Sequence, residues 1–238
     1  MSRIEDYLAG LEADDPAEGI KDTLAFLEEE TPTKEEKSKL AYGLATAYFR
    51  LNKSEEVVRW LEETNDDRSY QLLGFNLIKM EKHEEAARAF RKAARQRPED
   101  ENECQLLEAQ ALALAGEHER ARDLLDELLE LNVKPDFRAE CRLNRGTVEV
   151  EAGDKQEARQ WFEEILKSDD SQRFKSEAAF HMVRITMQAG QFEEAIEYAE
   201  WLKEEGKEQR WREAGIDYLR KIKKERRKRR NKLRDYEY

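Results

Sequence analysis

Five side chains in this 238-residue chain have the chemistry of metal ligands or nucleophiles: Cys104, Cys141, His83, His118 and His181. A structural zinc site takes about four nitrogen or sulfur ligands with pairs at short spacing, and none of the five stands within one helical turn of another. Two cysteines 37 residues apart do not suggest a disulfide framework, and the first twenty residues lack the basic start and apolar core of an export signal. Folding can bring a distant Cys and His together, but neither cysteine lies in the Gly-rich elbow that a nucleophile favours. The expectation is two reduced thiols on helices, no metal, no cofactor and no enzyme.

The elements that carry these residues follow from composition. Lys and Arg number 43, Asp and Glu 55, for a net charge of -12; charged residues make up 41% and apolar ones 39%, and mean hydropathy is -1.00. No apolar run approaches the roughly 18 residues of a membrane span, so no membrane insertion is expected. The expected location is cytoplasmic, or nuclear if the source is eukaryotic. β-branched residues are sparse and Glu, Leu, Ala, Lys and Arg dominate, which favours helices throughout.

A helical unit is clearest over Asp67–Asp100. Tyr70, Leu73, Gly74 and Leu77 share one helical face, and Ala86, Phe90 and Ala93 share another. Pro98 closes the unit, because proline cannot continue a helix. Gly74 and Ala86 stand where two helices would cross closely, and Tyr70, Leu77 and Phe90 would fill the space beside them. Residues equivalent to Ala86 recur at Ile20, Val57, Ala121, Ala158 and Ala195, with a mean interval of about 35 residues. Asn52, Gly116, Gly153 and Gly190 supply turns before four of the second helices. In the fifth unit the stripe is Leu143, Gly146, Thr147 and Val150, which reads as one residue out of the strict register.

This unit resembles the tetratricopeptide repeat, a 34-residue helix–turn–helix. Counted from Asp67, the family's positions 4, 7, 8, 11, 20, 24, 27 and 32 are Tyr70, Leu73, Gly74, Leu77, Ala86, Phe90, Ala93 and Pro98. The resemblance implies an all-α fold, a right-handed α-solenoid of antiparallel helix pairs. The expected repeats are 1–34, 38–66, 67–100, 102–135, 139–172 and 176–207, the second ending near Asn65. A capping helix over 208–222 follows, with Trp211, Gly215, Tyr218, Leu219 and Ile222 on one face. One pair cannot bury its own apolar stripe, so neighbours must stack.

The resemblance also implies a concave face lined by the first helix of each pair, where family members hold another protein, a peptide or a helix. The residues expected there are Tyr42, Thr46, Phe49, Gln71, Phe75, Ile78, Gln110, Asn144, Phe180, Arg184 and Gln188. Phe75 and Phe180 are the candidate aromatic anchors. Relatives that grip acidic chaperone tails use a Lys/Asn carboxylate clamp. The corresponding positions here are Tyr42, Thr46, Leu72, Glu103 and Leu107, so chaperone-tail binding is not implied.

Charge changes sign at the C-terminus. Residues 220–238 hold 11 basic and three acidic residues, leaving -20 on residues 1–219. The basic helical extension, 223–238, together with Lys221 offers Lys221, Lys223, Lys224, Arg226, Arg227, Lys228, Arg229, Arg230, Lys232 and Arg234 as contacts for a polyanion, RNA or a ribosomal surface. No aromatic interleaves 220–234, so base stacking is not indicated. KKERRKRR also resembles a nuclear-import cluster. The bland alternative is a solvated helix end. The main expectation is a non-catalytic protein-interaction scaffold or adaptor. Alternatives are an RNA- or ribosome-associated factor and a self-associating homo-oligomer.

Overall fold

The computed structural model describes residues 3–64, 66–168 and 171–234, with side chains as far as Arg229. The expected repeat end near Asn65 and the side chains of Arg230, Lys232 and Arg234 lie outside the described residues. The described residues form thirteen α-helices, one 3-10 turn and no strand. The chain divides into two units, Met1–Glu117 and His118–Tyr238.

The first unit holds α1 (Arg3–Glu12), α2 (Ala17–Glu29), α3 (Lys34–Arg50), α4 (Ser54–Glu62), α5 (Ser69–Lys79), α6 (His83–Gln96) and α7 (Glu101–Leu114). Each helix packs on the next. The first pair crosses at two glycines: a Cβ on Gly19 would meet the backbone of Gly10 at 2.3 Å. α3 opens with a capping box, in which the Glu36 backbone N–H donates to Thr33 Oγ1 and the Glu36 carboxylate accepts from the Thr33 N–H. Such a box satisfies two donors that the helix itself cannot. α1 has no basic residue in its last turn. Arg50 of α3 replaces one, donating to the carbonyls of Leu11, Ala13 and Asp14 that follow from the helix end.

The second unit holds α8 (His118–Glu130), α9 (Pro135–Ala152), α10 (Lys155–Lys167), α11 (Gln172–Ala189), α12 (Phe192–Glu205) and α13 (Gln209–Arg234). Its core joins Phe162, Ile165, Phe174 and Met182 in one cluster and Ala195, Ala199, Leu202 and Ile222 in another. α13 is a single helix that runs from Gln209 through the expected cap and on into the basic segment. It crosses α12 at Gly215, where a Cβ would meet Ala199 O and Lys203 N at 2.6 Å.

Two local devices recur in both units. The turns before α4, α6, α8, α10 and α12 each contain one left-handed residue: Asn52, Glu81, Gly116, Gly153 and Gly190. In four of them the N–H of the following residue donates across the turn, Lys53 to Tyr48 O, Lys82 to Leu77 O, Glu117 to Leu112 O and Gln191 to Thr186 O. That bond ends a helix by using a carbonyl that would otherwise lack a partner. The second device is a small buried residue in the first turn of the helix that follows. Val57, Ala86, Ala121, Ala158 and Ala195 are wholly buried. A Cβ on Gly74 would meet Phe90 Cε1 at 2.5 Å, and one on Gly146 would meet Phe162 Cε1 at 2.6 Å. Gly146 therefore stands where Gly74 does. The fifth repeat is in register, and the apparent one-residue slip has another cause, given below.

Candidate functional site

In the first unit the expected groove residues stand at matching intervals. Tyr42, Thr46 and Phe49 lie on α3, Gln71, Phe75 and Ile78 on α5, and Gln110 on α7. Two cation–π contacts tie α3 to α5. The Arg68 guanidinium sits 4.3 Å from the Tyr42 ring centre and the Lys79 ammonium 3.7 Å from that of Phe49. Arg68 precedes α5 and Lys79 ends it, so the two helices run the same way. Thr46 donates to Tyr42 O at 3.0 Å, and Arg97 donates to Gln71 Oε1 at 3.3 Å. Phe75 is 38% exposed, among the most open large apolar residues described. Its ring meets buried Phe90 edge-on at 5.3 Å. A partly open ring held by a buried one is a preorganised apolar contact.

In the second unit Asn144 on α9 turns its amide to Glu140 O at 2.8 Å. Phe180, Arg184 and Gln188 lie one turn apart on α11. Phe180 differs from Phe75. Its ring is 5.4 Å from Trp211 and 5.7 Å from Tyr218, so α13 covers it. Arg184 and Gln188 remain exposed.

The basic residues of α13 divide by partner. Arg220 pairs with Asp217 at 3.1 Å, Arg226 with Glu193 at 3.0 Å and Lys228 with Glu225 at 2.6 Å. Lys221 lies over Tyr218 and Arg229 over Phe192. Lys223, Lys224 and Arg227 are exposed and have no ion-pair partner among the described residues.

The candidate chemical residues are packed into helices. Cys104 and Cys141 are buried. Burial raises both thiols, Cys141 to about 12, which disfavours the reactive thiolate. His83 and His118 begin α6 and α8, and their Nδ1 atoms are buried without a hydrogen bond. His181 stacks on Phe162 at 4.7 Å, and burial, aided by Arg184, lowers it to about 4. Among the described residues one acidic group, Glu149, Asp154 and Glu157, has the spacing of a metal site. Arg122 donates to Glu149 through two nitrogens at 2.7 Å, and Arg145 pairs with both Glu149 and Glu157. Two guanidiniums therefore already balance this group.

That network explains the apparent slip. Counted from Ala139, Arg145 and Glu149 fall at positions 7 and 11, where the third repeat has Leu73 and Leu77. The stripe looked displaced because its two large positions are charged. Position 7 of the fourth repeat is likewise Glu108, buried and paired with Arg91. A charged pair at helix-face spacing, next to an in-register Gly, was the available signal. No helix of the described residues is long and apolar enough to cross a membrane.

The family model for the tetratricopeptide repeat matches residues 73–132 and 106–173. No curated protein matches the sequence significantly. Among solved structures, apo RapI is similar with a TM-score of 0.60 and 13% identity, over 96% of this chain and 97% of that one. A Rap protein complexed with competence and sporulation factor gives 0.57 and 16%, over 92% and 67%. NprR in complex with its cognate peptide NprX gives 0.55 and 14%, over 98% and 73%. At these identities the likeness is one of fold.

Proposed function

We propose that this tetratricopeptide-repeat chain is a non-catalytic interaction scaffold whose first unit takes a peptide or helix against α3, α5 and α7. The observation that carries the reading is Phe75, an exposed ring braced by Phe90, on a helix whose two ends are tied to α3 through Arg68 on Tyr42 and Lys79 on Phe49. An apolar side chain of the partner would seat on Phe75, while Thr46, Gln71 and Gln110 offer polar contacts to its backbone. The peptide complexes of Rap and NprR lend this reading support by fold alone. Affinity capture with full-length chain and with Phe75→Ala tests it. Loss of a captured protein, with the helical circular dichroism unchanged, supports the face; equal capture by both removes it.

A second reading has one observation in its favour: Lys223, Lys224 and Arg227 are exposed without ion-pair partners. They could touch phosphate in RNA or a ribosomal surface. Cutting the chain after Leu219 would remove Ile222, which is wholly buried. The clean variant is Lys223→Gln/Lys224→Gln/Arg227→Gln. RNA that copurifies with the wild type and leaves with this variant supports the reading, and equal RNA content in both ends it.

A further inference from the structure

α11, the first turn of α12 and the middle of α13 enclose an open cleft of about 440 Å³. Three cations converge on it: Arg184, Lys221 and Arg229. None of them stands within ion-pair distance of a carboxylate among the described residues. Each is instead seated on a ring, Arg184 over Phe180 at 5.8 Å, Lys221 over Tyr218 at 5.0 Å and Arg229 over Phe192 at 4.7 Å. The one carboxylate lining the cleft, Glu225, pairs with Lys228 at 2.6 Å and also feels the charges of Lys224 and Arg229. Arg229 is further fitted to its place by the left-handed Gly190, where a Cβ would meet its Nη1 at 2.6 Å. Met187 adds an apolar wall.

We propose that this cleft binds a short acidic peptide segment carrying an apolar side chain. Guanidinium and ammonium groups held on aromatic rings keep their donors free, and a carboxylate satisfies such donors well. The volume is that of a pocket for a few side chains. The positive cluster is local, set in a chain with -20 on residues 1–219, so a short acidic segment is attracted while a long polyanion is repelled over most of its length. Nucleic acid is further disfavoured because each of the three rings already carries a cation with which a stacking base would have to compete. The cations come from the last helix pair and the terminal helix, not from the carboxylate-clamp positions, which hold Tyr42, Thr46, Leu72, Glu103 and Leu107. The cleft belongs to the second unit and Phe75 to the first; Arg184 and Gln188, which line the cleft, are two of the expected groove residues, so the proposal rests on the same class of ligand, a peptide.

Fluorescence polarisation with the full-length chain tests the proposal. The probe is a labelled peptide of sequence Asp-Glu-Leu-Asp-Glu, with Asn-Gln-Leu-Asn-Gln as its uncharged counterpart. The acidic peptide binds and the uncharged one does not. Arg184→Gln/Lys221→Gln/Arg229→Gln weakens binding about tenfold or more, whereas Lys223→Gln/Lys224→Gln/Arg227→Gln, with the same loss of charge outside the cleft, weakens it far less. All six residues are exposed, and circular dichroism confirms that both variants fold. Equal effects of the two triple variants, equal binding of the two peptides, or an oligouridylate of matching charge binding the cleft cations more tightly than the peptide would each overturn the proposal. Phe75→Ala leaves peptide binding unchanged. If the peptide fails while Phe75-dependent capture persists, the cleft alone is refuted.

Discussion

Arg145 and Glu149 stand one turn apart on α9, both buried, at the two positions that hold Leu73 and Leu77 in the third repeat. Glu149 is 0% exposed and Arg145 6%. Removing two charges from water is costly, and the cost is met only if each finds close partners. Glu149 has Arg122 and Arg145; Arg145 has Asp126 at 2.9 Å and Glu157 at 3.1 Å as well. Glu149→Ala therefore leaves the buried Arg145 guanidinium with Asp126 and Glu157 alone and should lower stability by roughly 1–3 kcal/mol. Arg145→Leu/Glu149→Leu, which restores apolar residues at both positions, should recover most of that loss. Urea denaturation of the two variants decides between a partner requirement and a simple loss of volume.

The close crossings make a second prediction. Phe90 and Phe162 are at most 1% exposed and press on Gly74 and Gly146. Alanine is the better helix former by about 1 kcal/mol, yet its methyl has no room here. Gly74→Ala and Gly146→Ala should each destabilise the chain by about 1–3 kcal/mol, seen as a lower midpoint in thermal unfolding. A higher midpoint would mean that the rings move aside freely.

Glu81 provides a prediction of opposite sign. It holds φ +59° in the turn between α5 and α6, where the three later pairs use glycine. A side chain in that conformation costs roughly 1–2 kcal/mol. Glu81→Gly should raise stability by about 1 kcal/mol after its greater unfolded entropy is counted. An unchanged or lower melting temperature would show that Glu81 has a compensating contact.

His181 predicts a pH dependence. Its folded value, about 4, lies below its ordinary 6.5 because burial disfavours the imidazolium. As pH falls through 6.5 the unfolded chain takes up the proton first, so stability drops between 6.5 and 4 and is unaffected above. Comparing urea midpoints at about pH 7 and about pH 5 should show a loss in the wild type and a smaller one in His181→Leu. Equal losses would place the acid sensitivity elsewhere.

Much of this architecture is legible in the sequence because small residues at helix crossings have few substitutes. The series from Val57 to Ala195 and the pairing of Gly74 with Phe90 could be read directly from spacing. Three features could not. Charged residues ordinarily mark solvent, so Arg145 and Glu149 disguised the register of the fifth repeat. Glu81 gives no sign of a left-handed turn, since the backbone there is set by the helices on either side. Phe180 has the spacing of a groove residue, but only the fold reveals Trp211 and Tyr218 against its ring. The cleft was hidden for the same reason: Arg184 and Arg229 are 45 residues apart, and α13 had been divided between a cap and a tail.

The central claim is that the first helices of the pairs in the first unit receive a partner around Phe75. Hydrogen–deuterium exchange of the full-length chain, with and without the captured partner, tests it most directly. The account predicts slower exchange in α3 and α5 on binding, with α4 and α6 unchanged, and loss of that protection in Phe75→Ala. Protection confined to α4 and α6, or protection of α3 and α5 that survives Phe75→Ala, would contradict it.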